Sequence, residues 1–213
     1  MVSGMNVAVI GVRVHSGWAA VLAVSGEPDA PEVIDRRRIE IVDAAIVGAS
    51  QPYHLAADLE LSDAEPYLAN CAAASERMAS AALQTMVGDL AGRGLQAAGC
   101  AILEAVGRPL PPLAGILSAH ALIHTAEGEF FRKAVRRATE AQGIAVTGIR
   151  ERDLAECAGR VFGSAAGRVR ERLASLGKRI GPPWTQDQKA AALAASIVLA
   201  ELCGNLHSKA PPA

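Results

Sequence analysis

Two histidines four residues apart, His120 and His124, have the spacing of metal ligands. On a helix this spacing places both imidazoles on one face, where they could bind the same ion. The sequence lacks the glutamate of an HExxH motif, so the pair alone is a weak signal for a metal. Histidines at a helix start also act as capping or hydrogen-bonding residues, and both interpretations stay open.

Other polar residues stand out because they lie within or next to apolar segments. Arg13 and His15 follow the first predicted strand, Glu104 lies inside a nearly continuous apolar strand, and Asp187 lies near the start of the last predicted helix. A carboxylate in an apolar strand is costly unless it is paired or binds an ion. We therefore expect Glu104 either to pair with Arg13 or to bind a metal together with Asp187 and His124. A histidine could also act as a general acid or base near neutral pH.

Structural interpretations compete with these chemical ones. Asp187 in a first helical turn would interact favourably with the helix dipole, with Thr185 as the N-cap. The chain has two tyrosines, and one of them, Tyr53, precedes His54 in a predicted loop. This Tyr53–His54 pair is interpreted as a loop anchor, or as a binding element if it is exposed.

The composition predicts an intracellular globular protein. The chain has 213 residues, of which 51% are hydrophobic and 3% aromatic, so its core must consist mainly of aliphatic side chains. The four cysteines are isolated from one another, which favours reduced, buried thiols over disulfides or zinc. No segment has the length of a membrane span, and no signal peptide precedes the first strand. We expect a cytoplasmic protein without a membrane partner.

The charge balance argues mildly against tight binding to nucleic acid. The chain has 21 basic and 22 acidic residues, a formal net charge of −1. Proteins that bind the phosphate backbone usually carry a basic excess. Residues 132–137 and 168–172 form basic helix faces interleaved with glutamates, which is typical of a solvated surface. Nucleic acid therefore stays a weak candidate partner, and the alanine-rich helices would also suit a homodimer.

Hydrophobic periodicity predicts a single α/β domain. An alternating or continuous apolar pattern predicts strands, and three- and four-residue steps predict helices. The predicted strands are 6–12, 17–24, 32–42, 97–106 and 144–149, and the predicted helices are 62–92, 125–142, 154–176 and 185–206. This order predicts a five-stranded mixed sheet, an antiparallel three-strand meander plus two parallel strands, with helices on both faces. Residues 1–207 would form the domain and 208–213 a disordered tail.

Several stretches resemble a known family. The fourth predicted strand ends in Leu103, Glu104, Ala105 and Val106. Residues 160–172 precede a helix and then a loop with Pro183, Trp184, Thr185, Gln186 and Asp187, which leads into an alanine-rich helix. These stretches and the order of elements resemble the ribonuclease H-like superfamily, and within it the RuvC-type Holliday-junction resolvases.

The resemblance implies metal-dependent phosphodiester hydrolysis. In that family, carboxylates from the first strand, the fourth strand and the last helix hold two divalent ions, Mg²⁺ or Mn²⁺. Glu104 and Asp187 match two of these positions. The first strand, however, ends in Arg13 instead of an aspartate, and the second acidic position of the last helix is Ala190. The catalytic set is therefore degenerate.

Three functional hypotheses follow. The first is a divergent metal-dependent nuclease or phosphoesterase whose remodelled site contains Arg13, His15, Glu104, His124 and Asp187, with His120 as a further metal ligand. The second is an inactive scaffold or interaction protein that keeps only the fold. The third, a sugar or acetate kinase-type ATPase, is disfavoured by the short chain and the missing phosphate loop. A tight Arg13–Glu104 pair would oppose the first hypothesis, and convergence of Glu104, His124 and Asp187 on an open pocket would support it.

Overall fold

The computed structural model describes residues 6–105 and 109–208. Its strands are β1 (Val7–His15), β2 (Trp18–Glu27), β3 (Ala30–Glu40), β4 (Gln96–Glu104) and β5 (Val146–Arg150). Its helices are α1 (Pro52–Ala56), α2 (Leu61–Gly92), α3 (Leu113–Leu117), α4 (His120–Glu140), α5 (Leu154–Phe162), α6 (Ala166–Ser175), α7 (Gly177–Ile180) and α8 (Gln186–Ser208). No helix within these described ranges is both long and apolar enough to cross a membrane.

The strands form one five-stranded sheet in the order β3-β2-β1-β4-β5. The first three strands are antiparallel, and β1–β4 and β4–β5 are parallel, which confirms the predicted fold class. The β1–β2 turn is tight because Gly17 adopts a φ of +83°, a conformation that side chains with a Cβ rarely take. The parallel pairs require long crossovers, which α2 and α4 provide.

Each face of the sheet is covered by its own helices. In β1, and in β4 from Gly99 onward, odd-numbered residues face α8, α5 and α6, and even-numbered residues face α2 and α4. Ala97, which precedes the shift in the β1–β4 register, packs on the α2 and α4 side. This division follows from the two-residue period of a strand. Val9 and Leu103 thus pack toward α8, whereas Ile10 and Ile102 pack toward α2 and α4.

The helix α8 lies directly on the sheet because small residues line the contact. A Cβ added to Gly11 of β1 would lie 2.0 Å from the backbone oxygen of Ala191. Residues 190–199 of α8 are all buried, six of them alanines or serine. The alanine-rich composition therefore allows a close helix–sheet contact.

The element boundaries differ from prediction in several places. Helix α4 begins at His120, five residues early, and the predicted 154–176 helix is divided into α5 and α6, where Gly163 has a φ of +53°. Helices α1 and α3 were not predicted, and the Tyr53–His54 pair lies in α1 instead of a loop. Pro52 is the first residue of α1, and Pro112 is the N-cap of α3. Strand β4 ends at Glu104, and Val106, predicted as its last residue, lies outside the described residues. Helix α8 reaches Ser208, one residue into the predicted tail, and residues 209–213 also lie outside the described ranges.

Candidate functional site

Arg13 lies at the end of β1 between two carboxylates. Its Nη1 lies 2.6 Å from Oδ1 of Asp187, in the first turn of α8, and its Nη2 lies 2.8 Å from Oε1 of Glu151, just after β5. Arg13 and Asp187 are each less than a quarter exposed, so solvent screens this pair only partly. The cation therefore neutralises the Asp187 carboxylate, which was predicted from the sequence as a metal ligand.

His15 and Trp18 extend this group, and we name the five residues Arg13, His15, Trp18, Glu151 and Asp187 the β1–α8 cluster. The His15 and Trp18 rings stack with their centroids 4.2 Å apart. Nε2 of His15 lies 3.3 Å from Oδ1 of Asp187, but it makes no hydrogen bond to any described residue. Thr185 caps α8 as predicted, because Gln188 donates its backbone N–H to the Thr185 hydroxyl at 3.4 Å.

Glu104 lies on the opposite face of the sheet from the β1–α8 cluster. As an even-numbered residue of β4 it points toward α4, where Nη2 of Arg136 donates to its Oε1 at 2.5 Å. The side chain lies over Gly148 of β5, where an added Cβ would be 2.1 Å from Oε1 of Glu104. The predicted Arg13–Glu104 pair is therefore wrong, because strand alternation directs the two side chains to different faces. The predicted convergence of Glu104 with Asp187 is wrong for the same reason.

Glu104 and His124 do share a cleft, as the sequence suggested for this pair. The cleft has a volume of about 610 Å³. Arg132 and Lys133 of α4 place two cations in its wall, and Glu129 adds a second carboxylate. This mixture of charges could hold a small anion beside a carboxylate and an imidazole.

Three histidines meet beside this cleft, and we name His54, His120 and His124 the histidine cluster. One nitrogen from each ring lies within 4.8 Å of the others. Nε2 of His120 and Nε2 of His124 are 3.3 Å apart on the first turns of α4, as their four-residue spacing predicted. His54, on α1, was singled out in the sequence only with Tyr53, because no local pattern connects it with residues 66 or more positions away.

A buried carboxylate supports the histidine cluster from behind. Glu127 is 3% exposed, and its Oε1 accepts hydrogen bonds from Nδ1 of His54 at 2.8 Å and from the His54 backbone N–H at 3.2 Å. Burial, and secondarily the Glu127 charge, raise the pKa of the neighbouring Tyr53 phenol. Tyr53 therefore stays neutral, and its ring contacts Phe130 edge-on. The sequence missed Glu127, which resembles any other glutamate on an amphipathic helix.

Comparison with known proteins supports the fold. No protein-family model and no curated protein matches the sequence. Among solved structures, RuvC of T. thermophilus in complex with a Holliday junction substrate matches with a TM-score of 0.51 at 8% identity, over 93% of this chain and 96% of that chain. A Thermus thermophilus RuvC structure matches with a TM-score of 0.46 at 10% identity, over 92% of this chain and 96% of that one. The yeast mitochondrial Holliday junction resolvase Ydc2 matches with a TM-score of 0.48 at 10% identity, over 96% and 82% of the two chains. The chain therefore has the ribonuclease H-like α/β fold, as in the RuvC structure that matches with a TM-score of 0.51.

Proposed function

We propose that this protein binds nucleic acid on the ribonuclease H-like fold without cleaving it through a two-metal site. The observation that carries the proposal is the contact of Arg13 with Asp187, at 2.6 Å. Arg13 stands where the resemblance implies a carboxylate ligand. A guanidinium at this point repels a divalent cation and uses the carboxylate that would bind it.

The positions that surround Arg13, Asp187 and Glu151 also offer few oxygen ligands for a metal pair. Mg²⁺ and Mn²⁺ prefer several oxygen ligands. On the α8 face, β4 presents Leu103, which is 4% exposed, and α8 presents Ala190 one turn after Asp187. This donor set does not fit two hard cations, and we derive no reaction step through them.

Support for a nucleic-acid partner comes from the uneven distribution of charge. Residues 150–189 contain nine Arg and Lys against five Asp and Glu, a net +4, so the rest of the chain carries −5. A cleft of about 690 Å³ between α5, α6 and α8, which we name the α8 cleft, is lined by three cations, Arg152, Arg170 and Lys189, and by two carboxylates, Glu151 and Glu171. A local basic surface attracts phosphates even when the whole chain is nearly neutral. The RuvC structure with a TM-score of 0.51 was solved with a Holliday junction, which supports the same class of partner.

Fluorescence anisotropy with a labelled four-way junction tests the binding. We expect affinity that falls as salt rises, and a clear loss in Arg170→Glu and Lys189→Glu, since each phosphate contact contributes about one unit to the salt slope. Lys133→Glu, a charge reversal in the cleft on the other face, is the matched control and should bind normally. Equal affinity for all four proteins, or no binding at low salt, would contradict the proposal.

Junction cleavage tests the second half of the proposal. Wild-type protein incubated with the junction and Mg²⁺ or Mn²⁺ should release no product. Metal-dependent cleavage that disappears in Asp187→Asn would show that the β1–α8 cluster is catalytic, and the proposal would then be wrong.

A second candidate function is phosphoester hydrolysis in the Glu104 cleft, favoured because Glu104, His124, Arg132 and Lys133 line one cavity. Bis(p-nitrophenyl) phosphate is a suitable probe, assayed with Mn²⁺ or Zn²⁺. Glu104→Gln should abolish hydrolysis, whereas Glu140→Gln should not, because Glu140 also contacts Arg136, at 3.9 Å, but does not line the cleft. Equal rates in the two variants would reject this function.

A further inference from the structure

We infer that the histidine cluster, His54, His120 and His124, binds a transition-metal ion, with Zn²⁺ as the preferred occupant. This site lies on the α2–α4 face of the sheet and uses neither Asp187 nor Glu104. It is therefore independent of the proposed nucleic-acid binding, although it shares His124 with the Glu104 cleft of the second candidate function. It also differs from the ligand set that the sequence suggested.

The spacing of the imidazoles suits a tetrahedral ion. Zinc binds histidine nitrogen at about 2.0–2.1 Å, so two ligands of one tetrahedral zinc lie roughly 3.3–3.4 Å apart. The Nε2 atoms of His120 and His124 are 3.3 Å apart. The His54 nitrogen lies within 4.8 Å of both, so a shift of His54 by roughly 1.5 Å would complete three ligands.

Glu127 prepares His54 to act as a ligand. It accepts the Nδ1–H of His54 at 2.8 Å, which leaves the Nε2 lone pair of His54 free to face an ion. Metal-binding histidines commonly donate their second nitrogen to a carboxylate in this way. Among the described residues, both hydrogen bonds to the buried Glu127 carboxylate come from His54. A bound dication would also compensate the buried negative charge.

The donor set indicates the class of ion. Three neutral imidazoles without a carboxylate suit Zn²⁺, Cu²⁺ or Ni²⁺ and disfavour Mg²⁺, Mn²⁺ and Ca²⁺, which prefer oxygen. His120 and His124 are exposed, so a fourth position on the ion would be open to water or a small anion. Without an ion, the same geometry would be a hydrogen bond between His120 and His124 beside His54. A metal site would bind added Zn²⁺, whereas a hydrogen-bonded histidine cluster without a metal function would not.

Calorimetry on the full chain, after dialysis against a chelator, distinguishes these states. We expect one Zn²⁺ per chain, with no competition from Mg²⁺. His120→Ala and His124→Ala should each lose at least tenfold in affinity, and both should fold normally because these side chains are exposed. Glu127→Gln, which keeps the size of the side chain, should weaken binding about 10- to 100-fold. His15→Ala, on the opposite face, is the histidine control and should retain the wild-type affinity.

Two further readouts separate a specific site from chance binding. Zn²⁺ should raise the Tm of the wild type but not of His120→Ala, and Co²⁺ should give the visible absorption of a tetrahedral complex. The inference is overturned if Zn²⁺ does not bind, or if it binds equally well to the His120→Ala and His124→Ala variants. Neither outcome changes the expected binding of the junction, so the zinc inference and the proposed function can be rejected independently of each other.

Discussion

The side to which a residue points determines its chemistry in this protein. Arg13 and Glu104 lie near the ends of the neighbouring parallel strands β1 and β4. Arg13 contacts Asp187 of α8, however, and Glu104 contacts Arg136 of α4. Each of the two charges therefore has its own partner on its own face. Because the sheet separates them, the Glu104 carboxylate and the Arg13 guanidinium cannot contribute to one common site.

Cys100 provides a pH-dependent prediction at the residue scale. Burial raises the pKa of its thiol from 9.0 to about 12, despite a hydrogen bond with Thr139 that lowers it. The unfolded thiol ionises near pH 9 while the folded one keeps its proton, so this contribution to stability is complete below pH 9 and is lost as the pH rises toward 12. Urea unfolding at pH 8.5 and 10.5 should show a smaller alkaline loss of stability in Cys100→Ala, by up to about 1.4 kcal/mol per pH unit. Identical losses in both proteins would contradict this assignment.

At the scale of elements, the helix α8 packs tightly against β1 at Gly11. The contact depends on a glycine in the strand and alanines in the helix, since any side chain would separate the two backbones. This packing also places Asp187, in the first turn of α8, beside Arg13 at the end of β1.

Gly11→Ala tests this contact. The new Cβ would lie 2.0 Å from the backbone oxygen of Ala191, so α8 would have to move, and we expect the free energy of unfolding to fall by about 2 kcal/mol or more. Gly99→Ala is the matched control on the same face of β4. Its Cβ would lie 3.5 Å from the Leu202 and Val198 side chains, an ordinary contact, so stability should change by less than about 1 kcal/mol. Equal effects in chemical denaturation would show that the contact is not tight.

At the scale of the whole molecule, two polar regions are separated by the sheet. The β1–α8 cluster and the α8 cleft, which lies between α5, α6 and α8, are on the α8 face. The histidine cluster and the Glu104 cleft are on the α4 face. Substitutions in the two regions should therefore have separable effects, because they share no partners.

We predict that the protein forms a dimer through an exposed apolar segment. Among the described residues, the large apolar side chains that are most exposed are Val47, at 78%, Leu61, at 43%, and Leu59, at 37%, all between β3 and the start of α2. Light scattering should give twice the mass of the chain, and Val47→Glu combined with Leu61→Glu should give the monomer. Gln51→Glu, which adds charge to the same segment without removing an apolar side chain, is the control and should stay dimeric. A monomeric wild type would reject the prediction.

The order of strands and helices could be predicted because it depends on local patterns. Alternation of Ile39 and Ile41 with charged residues, and the three- and four-residue steps of α2, each reflect burial on one side of one element. The proximity of His120 and His124 could be predicted for the same reason, because residues four apart on α4 lie on the same face of the helix. The short helices α1 and α3 were not predicted, because five residues are too few for a helical period of hydrophobic residues to be recognised.

The sequence by itself predicted the five strands, the long helices, the mixed character of the sheet and the candidate residues Arg13, His15, Glu104, His124 and Asp187. Only the tertiary structure decided which of them meet. Contacts across the sheet depend on the face that each strand position presents and on how α1, α4 and α8 pack there. The joining of His54 with His120 and His124, and of Arg13 with Asp187, is therefore a property of packing between elements distant in the chain, which no local pattern encodes.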